Sequence, residues 1–301
     1  MLHIPVLLEE TIFFLSNGRG VYVDLTTGEG GHSRAILERL GDNCEKLICF
    51  DRDIEIQNIA KESLKHFPNV IFVNSNFSNI KNVLNTLGVN SVRGIIADLG
   101  LSMYHYKDSG KGFSFLRDDR LDMSLDGSRP NAYDVVNTFT EKEISDIIFS
   151  LAEERFSRRI AMAIVNARKI KKIETTKELA SIVEKSVGRF YRKSRLHPAT
   201  KTFQAIRIFV NNEIENLKKM IADSVNVLDN GGRLLILTYH SIEDRVVKFE
   251  FKNLSLKGFK ILTKKPIIPS KEEIKNNTSA RSAKLRVIEK TEVLKCQGSF
   301  S

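Results

Sequence analysis

Residues 21–33, VYVDLTTGEGGHS, constrain this chain more than any other stretch. Val21, Tyr22, Val23, Asp24 and Leu25 form an alternating run that predicts a short buried strand. The chain then breaks at Gly28, Gly30 and Gly31 and resumes with helical spacing in SRAILERL, where Ile36, Leu37 and Leu40 share a face. Strand, glycine turn and helix together present backbone N–H groups and a helix N-terminus to a bound cofactor. About twenty residues further on, a second strand, KLICF, delivers Asp51, where a carboxylate meets a ribose hydroxyl in folds of this kind.

Glycine spacing bears on which cofactor that is. A dinucleotide fingerprint reads G-x-G-x-x-G, and here Ser33 stands at the third glycine position. The carboxylates of Asp24 and Glu29 would repel a pyrophosphate. A cofactor with an adenosine, no phosphates and a cationic centre suits them better, and S-adenosylmethionine fits that description. An ordinary tight turn in an α/β domain is the competing explanation of these residues alone.

The rest of the chain repeats the alternation. KLICFD is followed by the helical IQNIAKESLKHF, VIFVNSNF by the helical NIKNVLNTLG, and then comes GIIADLG. Such an order predicts a parallel, doubly wound sheet. From about Leu101 to Ala199 the strands stop. Thr140 with Glu143, and Thr175 with Glu178, are capping boxes that open amphipathic helices. Between them Phe156, Ile160, Ile164 and Ala167 fall on one helical face. Pro198, tolerated in a first turn, starts a long helix that runs to Asn230-Gly231-Gly232. The sheet resumes with RLLILTYH, KGFKILT and KLRVIEK. The expected organisation is α/β: a Rossmann-like sheet from residues 1–104 and 200–301, suited to S-adenosylmethionine, interrupted by an all-helical domain at 105–199.

Charge points to the partner. The formal net charge is +10, which suits a polyanion. Arg155, Arg158, Arg159, Arg168, Lys169, Lys171 and Lys172 lie in the inserted region, as do Arg189, Arg192, Lys193, Arg195 and Lys201 at its end. Acids are sparse among them, so contact with RNA phosphates is expected rather than a merely solvated face. No apolar run has the length of a bilayer span, and MLHIPVLLEE lacks the basic start of a secretory signal. Cys44, Cys49 and Cys296 are widely placed and include no Cys-x-x-Cys pair. A reducing, cytoplasmic setting with no metal site is expected.

The fourth strand runs into Asp98-Leu99-Gly100-Leu101-Ser102, followed by Tyr104, His105, Tyr106 and then Gly112-Phe113-Ser114-Phe115. In a doubly wound sheet the ligand lies beyond the carboxyl ends of the central strands, so Asp98 belongs beside the first two strand tips. A carboxylate there can accept a hydrogen bond from an exocyclic amine and steady positive charge as a methyl group arrives. The aromatics could stack on an unstacked base. A helix-capping aspartate followed by core aromatics explains the same residues. His240, Ser241, Glu243 and Asp244 suit support of the site or RNA contact, and no nucleophile elbow surrounds Ser241.

PVLLEE, DLTTGEGGHS, DLGLS, GFSF, LDMSLD, HPATKTFQAIRIFVN, HSIEDR and RSAKLRV occur in this order along nearly the whole chain. In this the sequence resembles the bacterial small-subunit ribosomal RNA cytidine N4-methyltransferases (RsmH, formerly MraW). The resemblance implies S-adenosylmethionine as donor and a cytidine in the decoding region of 16S rRNA as acceptor. It implies cofactor contacts from Gly30, Gly31, His32, Asp51, Phe77, Asp98 and His105, with Asp98 also the catalytic candidate. His105 stands where the family usually has glutamine. Met103, Lys111, Ser124 and Ala152 are further departures, as is the tail NNTSARSAKLR, where the family more often has a proline after the first asparagine; they cluster around the presumed base pocket. A non-catalytic assembly factor, a Rossmann oxidoreductase and an amine methyltransferase acting on another nucleic acid remain as alternatives. A homodimer is compatible with this reading, but the sequence does not decide the oligomeric state.

Overall fold

Gly20 to Asp24 form a strand because Tyr22, Val23 and Asp24 are all removed from water in a sheet covered on both faces. The computed structural model describes residues 5–192 and 196–291. In chain order it begins α1 (Leu8–Leu15), β1 (Gly20–Asp24), α2 (Gly31–Leu40), β2 (Cys44–Asp51) and α3 (Ile54–Leu64). β3 (Val70–Asn74), α4 (Ile80–Thr86) and β4 (Val92–Asp98) complete the first strand–helix series. A run of helices follows: α5 (Met103–Lys107), α6 (Ala132–Thr138), α7 (Glu141–Ala152), α8 (Ser157–Ile170), α9 (Thr176–Val187), α10 (Thr200–Val210) and α11 (Glu213–Val227). The chain returns to the sheet with β5 (Leu228–Thr238), then α12 (Ser241–Leu254), β6 (Phe259–Ile261), α13 (Lys271–Asn276) and β7 (Lys284–Lys290).

Strands from both sides of the helical run make one seven-stranded sheet, in the order β3-β2-β1-β4-β5-β7-β6. β1 to β5 are parallel, whereas β7 runs antiparallel to both β5 and β6. The sheet is therefore mixed at one edge. β1 pairs with β2 on one side and β4 on the other, so the winding reverses there and leaves a crevice beyond the strand tips. Alternate residues feed two apolar layers. Val23, Ile48, Phe50 and Ile95 meet Leu84, Leu217, Ile221 and Phe251 on one face. Tyr22, Leu47, Cys49 and Ile96 meet Leu15, Ile36, Leu40 and Leu64 on the other.

The chain divides into two compact units, Met1–Gly100 with Asn216–Ser301, and Leu101–Glu215. These limits differ from the expected 104 and 199, because Phe203, Ile206 and Val210 of α10 pack into the second unit's core with Ile144, Ile160 and Leu179. Both expected capping boxes form, Thr140 with Glu143 and Thr175 with Glu178, and a third joins Asn131 to Asp134.

The long helix expected from Pro198 onward is two helices. Asn211 and Asn212 break it, and Asn212 takes a left-handed φ of 48°. Asn211 is buried, and its side chain accepts from Leu125 N–H at 3.0 Å and donates to the Met123 carbonyl at 2.8 Å. Pro198 precedes the N-cap, Ala199, rather than occupying the first turn. Asn230, Gly231 and Gly232 fall inside β5 instead of ending a helix.

Candidate functional site

Three carboxylates stand at the tips of adjacent parallel strands: Asp24 on β1, Asp51 on β2 and Asp98 on β4. Their surroundings differ. Asp24 is buried and accepts hydrogen bonds from Ser33 Oγ at 2.6 Å and Thr26 N–H at 3.1 Å. Burial pushes its pKa up, against the pull of the Ser33 hydroxyl and the nearby His32 ring. Ser33 Oγ also lies 3.3 Å from the buried Cys49 sulfur. The serine at the third glycine position thus fastens the helix start to the strand. Asp24 acts within the fold rather than as an open charge facing a ligand.

Asp51 holds the glycine turn from the next strand. Its Oδ2 accepts from Gly28 N–H at 2.8 Å and its Oδ1 from Asp53 N–H at 2.9 Å. Gly30 adopts φ +89°, and a Cβ there would sit 3.4 Å from Leu64 Cδ1, so α2 and α3 approach over a bare backbone. Gly31 opens α2, whose first turn carries no acidic residue and whose N-cap, Gly30, offers no side chain. The free N–H groups of that turn form an anion-favouring end.

His32 follows. It is buried, yet neither ring nitrogen has a hydrogen-bond partner among the described residues. Its Nε2 lies 3.5 Å from Asp98 Oδ2, within ion-pair range but without hydrogen-bond geometry. Asp98 is positioned by its backbone, which donates to Thr26 Oγ1 at 2.6 Å, while its Oδ1 accepts from Gly100 N–H at 3.3 Å. Tyr239, just past β5, packs on Gly100; a Cβ there would be 2.7 Å from its ring. Burial, then the charge and hydrogen bonding of Asp98, hold the Tyr239 phenol well above the ordinary tyrosine range. The phenol therefore stays protonated beside the carboxylate. Phe77 opens the turn after β3 and is half-buried against the sheet core.

The motif at the start of α12 serves the scaffold. His240 caps the helix, its Nδ1 accepting from Glu243 N–H at 3.3 Å, and Glu243 accepts from Tyr239 N–H at 3.0 Å. Asp244 receives Arg286 Nε at 2.7 Å and Lys284 Nζ at 2.9 Å, which ties α12 to β7.

In the second unit, His105 lies on α5, buried, with Nδ1 3.1 Å from Ser102 Oγ and its ring edge-on to Phe113 at 5.5 Å. Phe113 is a core residue, and Phe115 stacks on His197 at 4.6 Å while meeting Phe203 edge-on. Phe113 belongs to the unit's core, and Phe115 and Tyr106 pack against it partly buried. Among the basic residues, Arg168 donates to the Val136 carbonyl, Lys171 pairs with Glu178 at 2.7 Å and Lys201 donates to the Glu153 carbonyl. Arg155, Arg158, Arg159, Lys169, Lys172, Arg189 and Arg192 are exposed. Lys193 and Arg195, like Cys296, lie outside the described residues.

Comparison with known proteins decides the family. Residues 1–291 match the model of the MraW methylase family. The chain belongs to the MraW methylase family. Among its relatives, the ribosomal RNA small subunit methyltransferase H of Clostridium botulinum strain Kyoto is 47% identical, over 96% of this chain and 98% of the relative. Those of Finegoldia magna and Borrelia turicatae are 43% and 48% identical, each over 96% of this chain and at least 97% of the relative.

In this MraW methylase chain, the structure brings Gly30, Gly31, His32, Asp51 and Asp98 to one end of the sheet, with Phe77 following the neighbouring strand. His105 belongs to the other unit. Sequence reasoning missed Thr26 and Gly100 as residues that place Asp98, and Tyr239 as the ring that packs on Gly100. Tyr239 carried a usable signal: it directly precedes the His240 cap, and β5 neighbours β4 in a doubly wound sheet. No helix among the described residues is long and apolar enough to cross a membrane.

Proposed function

We propose that this chain methylates the exocyclic N4 amine of a cytidine in the decoding region of 16S rRNA, using S-adenosylmethionine in the cytoplasm. The observation that carries the reading is His32: a buried imidazole whose two nitrogens make no hydrogen bond among the described residues, at an open helix N-terminus beside Asp98. Unpartnered buried polar atoms are costly, and a polar ligand in this crevice removes the cost. The residues fit the donor. The first-turn N–H groups of α2 suit a carboxylate, Asp51 suits a ribose diol, and Phe77 offers an apolar ring for an adenine. Gly30 and Gly31 let the backbone approach, and His105 is the remaining contact carried over from the family.

When bound, the donor supplies an electrophilic methyl group on a sulfonium. The rest falls to the protein. A cytosine amine is a poor nucleophile because its lone pair is delocalised into the ring, so holding it in line does much of the work. Asp98 would accept a hydrogen bond from that amine and steady positive charge on nitrogen while the new carbon–nitrogen bond replaces the methyl–sulfur bond, the sulfur keeping the bonding electrons and the surplus amine proton leaving to solvent. The Gly100 N–H and the backbone bond to Thr26 fix where Asp98 sits, with Tyr239 packed on Gly100.

Mass spectrometry of small-subunit rRNA from cells with and without this chain tests the proposal. A methyl group on N4 of a decoding-region cytidine should vanish without the chain and return with the wild type. An unchanged methylation pattern would overturn it.

A further inference from the structure

Phe156, preceding α8, and Phe190, after α9, stack face to face with centroids 4.5 Å apart and planes 21° apart. Each outer face carries a guanidinium: Arg155 lies 4.6 Å from the Phe156 centroid, and Arg189 4.7 Å from that of Phe190. Arg159 adds a third at 5.6 Å from Phe190, its Nε donating to the Ser186 carbonyl at 2.7 Å. All three arginines are exposed, and none forms an ion pair among the described residues. Other surface cations do find carboxylates, such as Arg19 with Glu45 and Arg39 with Glu9. The acid next in sequence is turned inward: Glu154 is buried and accepts from Phe156 N–H and the Tyr191 phenol.

An arginine stacked on a ring keeps its edge N–H groups free while losing much of its rotational freedom. Three such groups gathered side by side repel one another, and no ion pair among the described residues offsets that. We propose that this arginine–phenylalanine stack is a preorganised clamp for the phosphodiester backbone of single-stranded RNA. The proposal rests on the rRNA reading and deepens it by naming Arg155, Arg159 and Arg189 as the phosphate ligands. It also assigns Phe156 and Phe190 the task of holding them. Each phosphate contact releases counterions, so the clamp sets both affinity and its salt dependence.

The test is fluorescence anisotropy with a labelled single-stranded oligoribonucleotide across a salt series, on the full chain. Arg155→Gln with Arg189→Gln should weaken binding on the order of tenfold at 0.1 M salt and flatten the log–log salt slope by about 1.4, for two lost contacts. Arg155→Lys with Arg189→Lys keeps the charge but loses the planar stack. It should retain the slope while binding about two- to fivefold more weakly than wild type. Unchanged affinity and slope in the glutamine pair, with small subunits still methylated, would overturn the clamp and leave the methyltransferase reading standing. A lysine pair indistinguishable from wild type would overturn preorganisation by the rings. If the wild type neither binds RNA nor methylates small subunits, the reading beneath the clamp fails with it.

Discussion

Ser33 and Asp98 show how single side chains at this sheet end divide their work. Ser33 donates to the buried Asp24 carboxylate at 2.6 Å, and its removal leaves that group short of a partner. Ser33→Ala should lower unfolding stability by about 2 kcal/mol in a denaturant titration. Because the fold raises the Asp24 pKa, that group favours the folded state most at acid pH, below its unfolded value near ~3.9. The contribution fades as pH rises through the raised folded value. Asp98 predicts the opposite kind of effect, on rate. Asp98→Ala should retain heat on titration with S-adenosylmethionine but lose about a hundredfold or more in methyl transfer to small subunits. Intact turnover would mean that another group holds the amine. Gly100→Ala should reduce turnover too, since its Cβ would displace the Tyr239 ring that packs there.

At the scale of elements, local signals were legible and long-range ones were not. Thr140–Glu143 and Thr175–Glu178 could be read because a capping box closes within one turn. The break between α10 and α11 could not, because the apolar periodicity runs through it. Its cause is a pair of bonds from Asn211 to backbone 86 and 88 residues away in sequence. Asn211→Ala would strand those buried groups and should cost about 2–3 kcal/mol by denaturant titration. The α12–β7 tie was equally hidden, since HSIEDR and RSAKLRV meet only in the folded chain. Burial alone would raise the Asp244 pKa, but Arg286 and Lys284 together hold it below the usual carboxylate range. Its stabilisation is therefore present above the unfolded value near ~3.9 and lost as pH falls through the lower folded value. Asp244→Asn should remove about 2 kcal/mol at neutral pH, allowing for the part-exposed Lys284, and flatten this acid limb of the stability profile.

Across the whole molecule, strand–helix alternation announced the sheet, and the strand order explains why Asp24, Asp51 and Asp98 share its carboxyl end. Composition could locate the positive charge but not divide it. Arg168 and Lys201 hold backbone carbonyls, Arg155 and Arg189 stand on rings with no ion pair among the described residues, and Arg159 does both, over Phe190 and on the Ser186 carbonyl. Only coordinates separate these roles, because all five are the same kind of residue in the same kind of segment. The glycine turn was legible as the link between strand and helix, yet its acidic neighbour Asp24 proved to be an internal anchor.

Isothermal titration calorimetry of the purified chain with S-adenosylmethionine and with its demethylated product tests the central claim most directly. Saturable heat is predicted for both ligands, weakened more by Asp51→Ala and by His32→Ala than by Asp98→Ala. Absence of heat with either ligand, even when small-subunit RNA is supplied, would contradict the account.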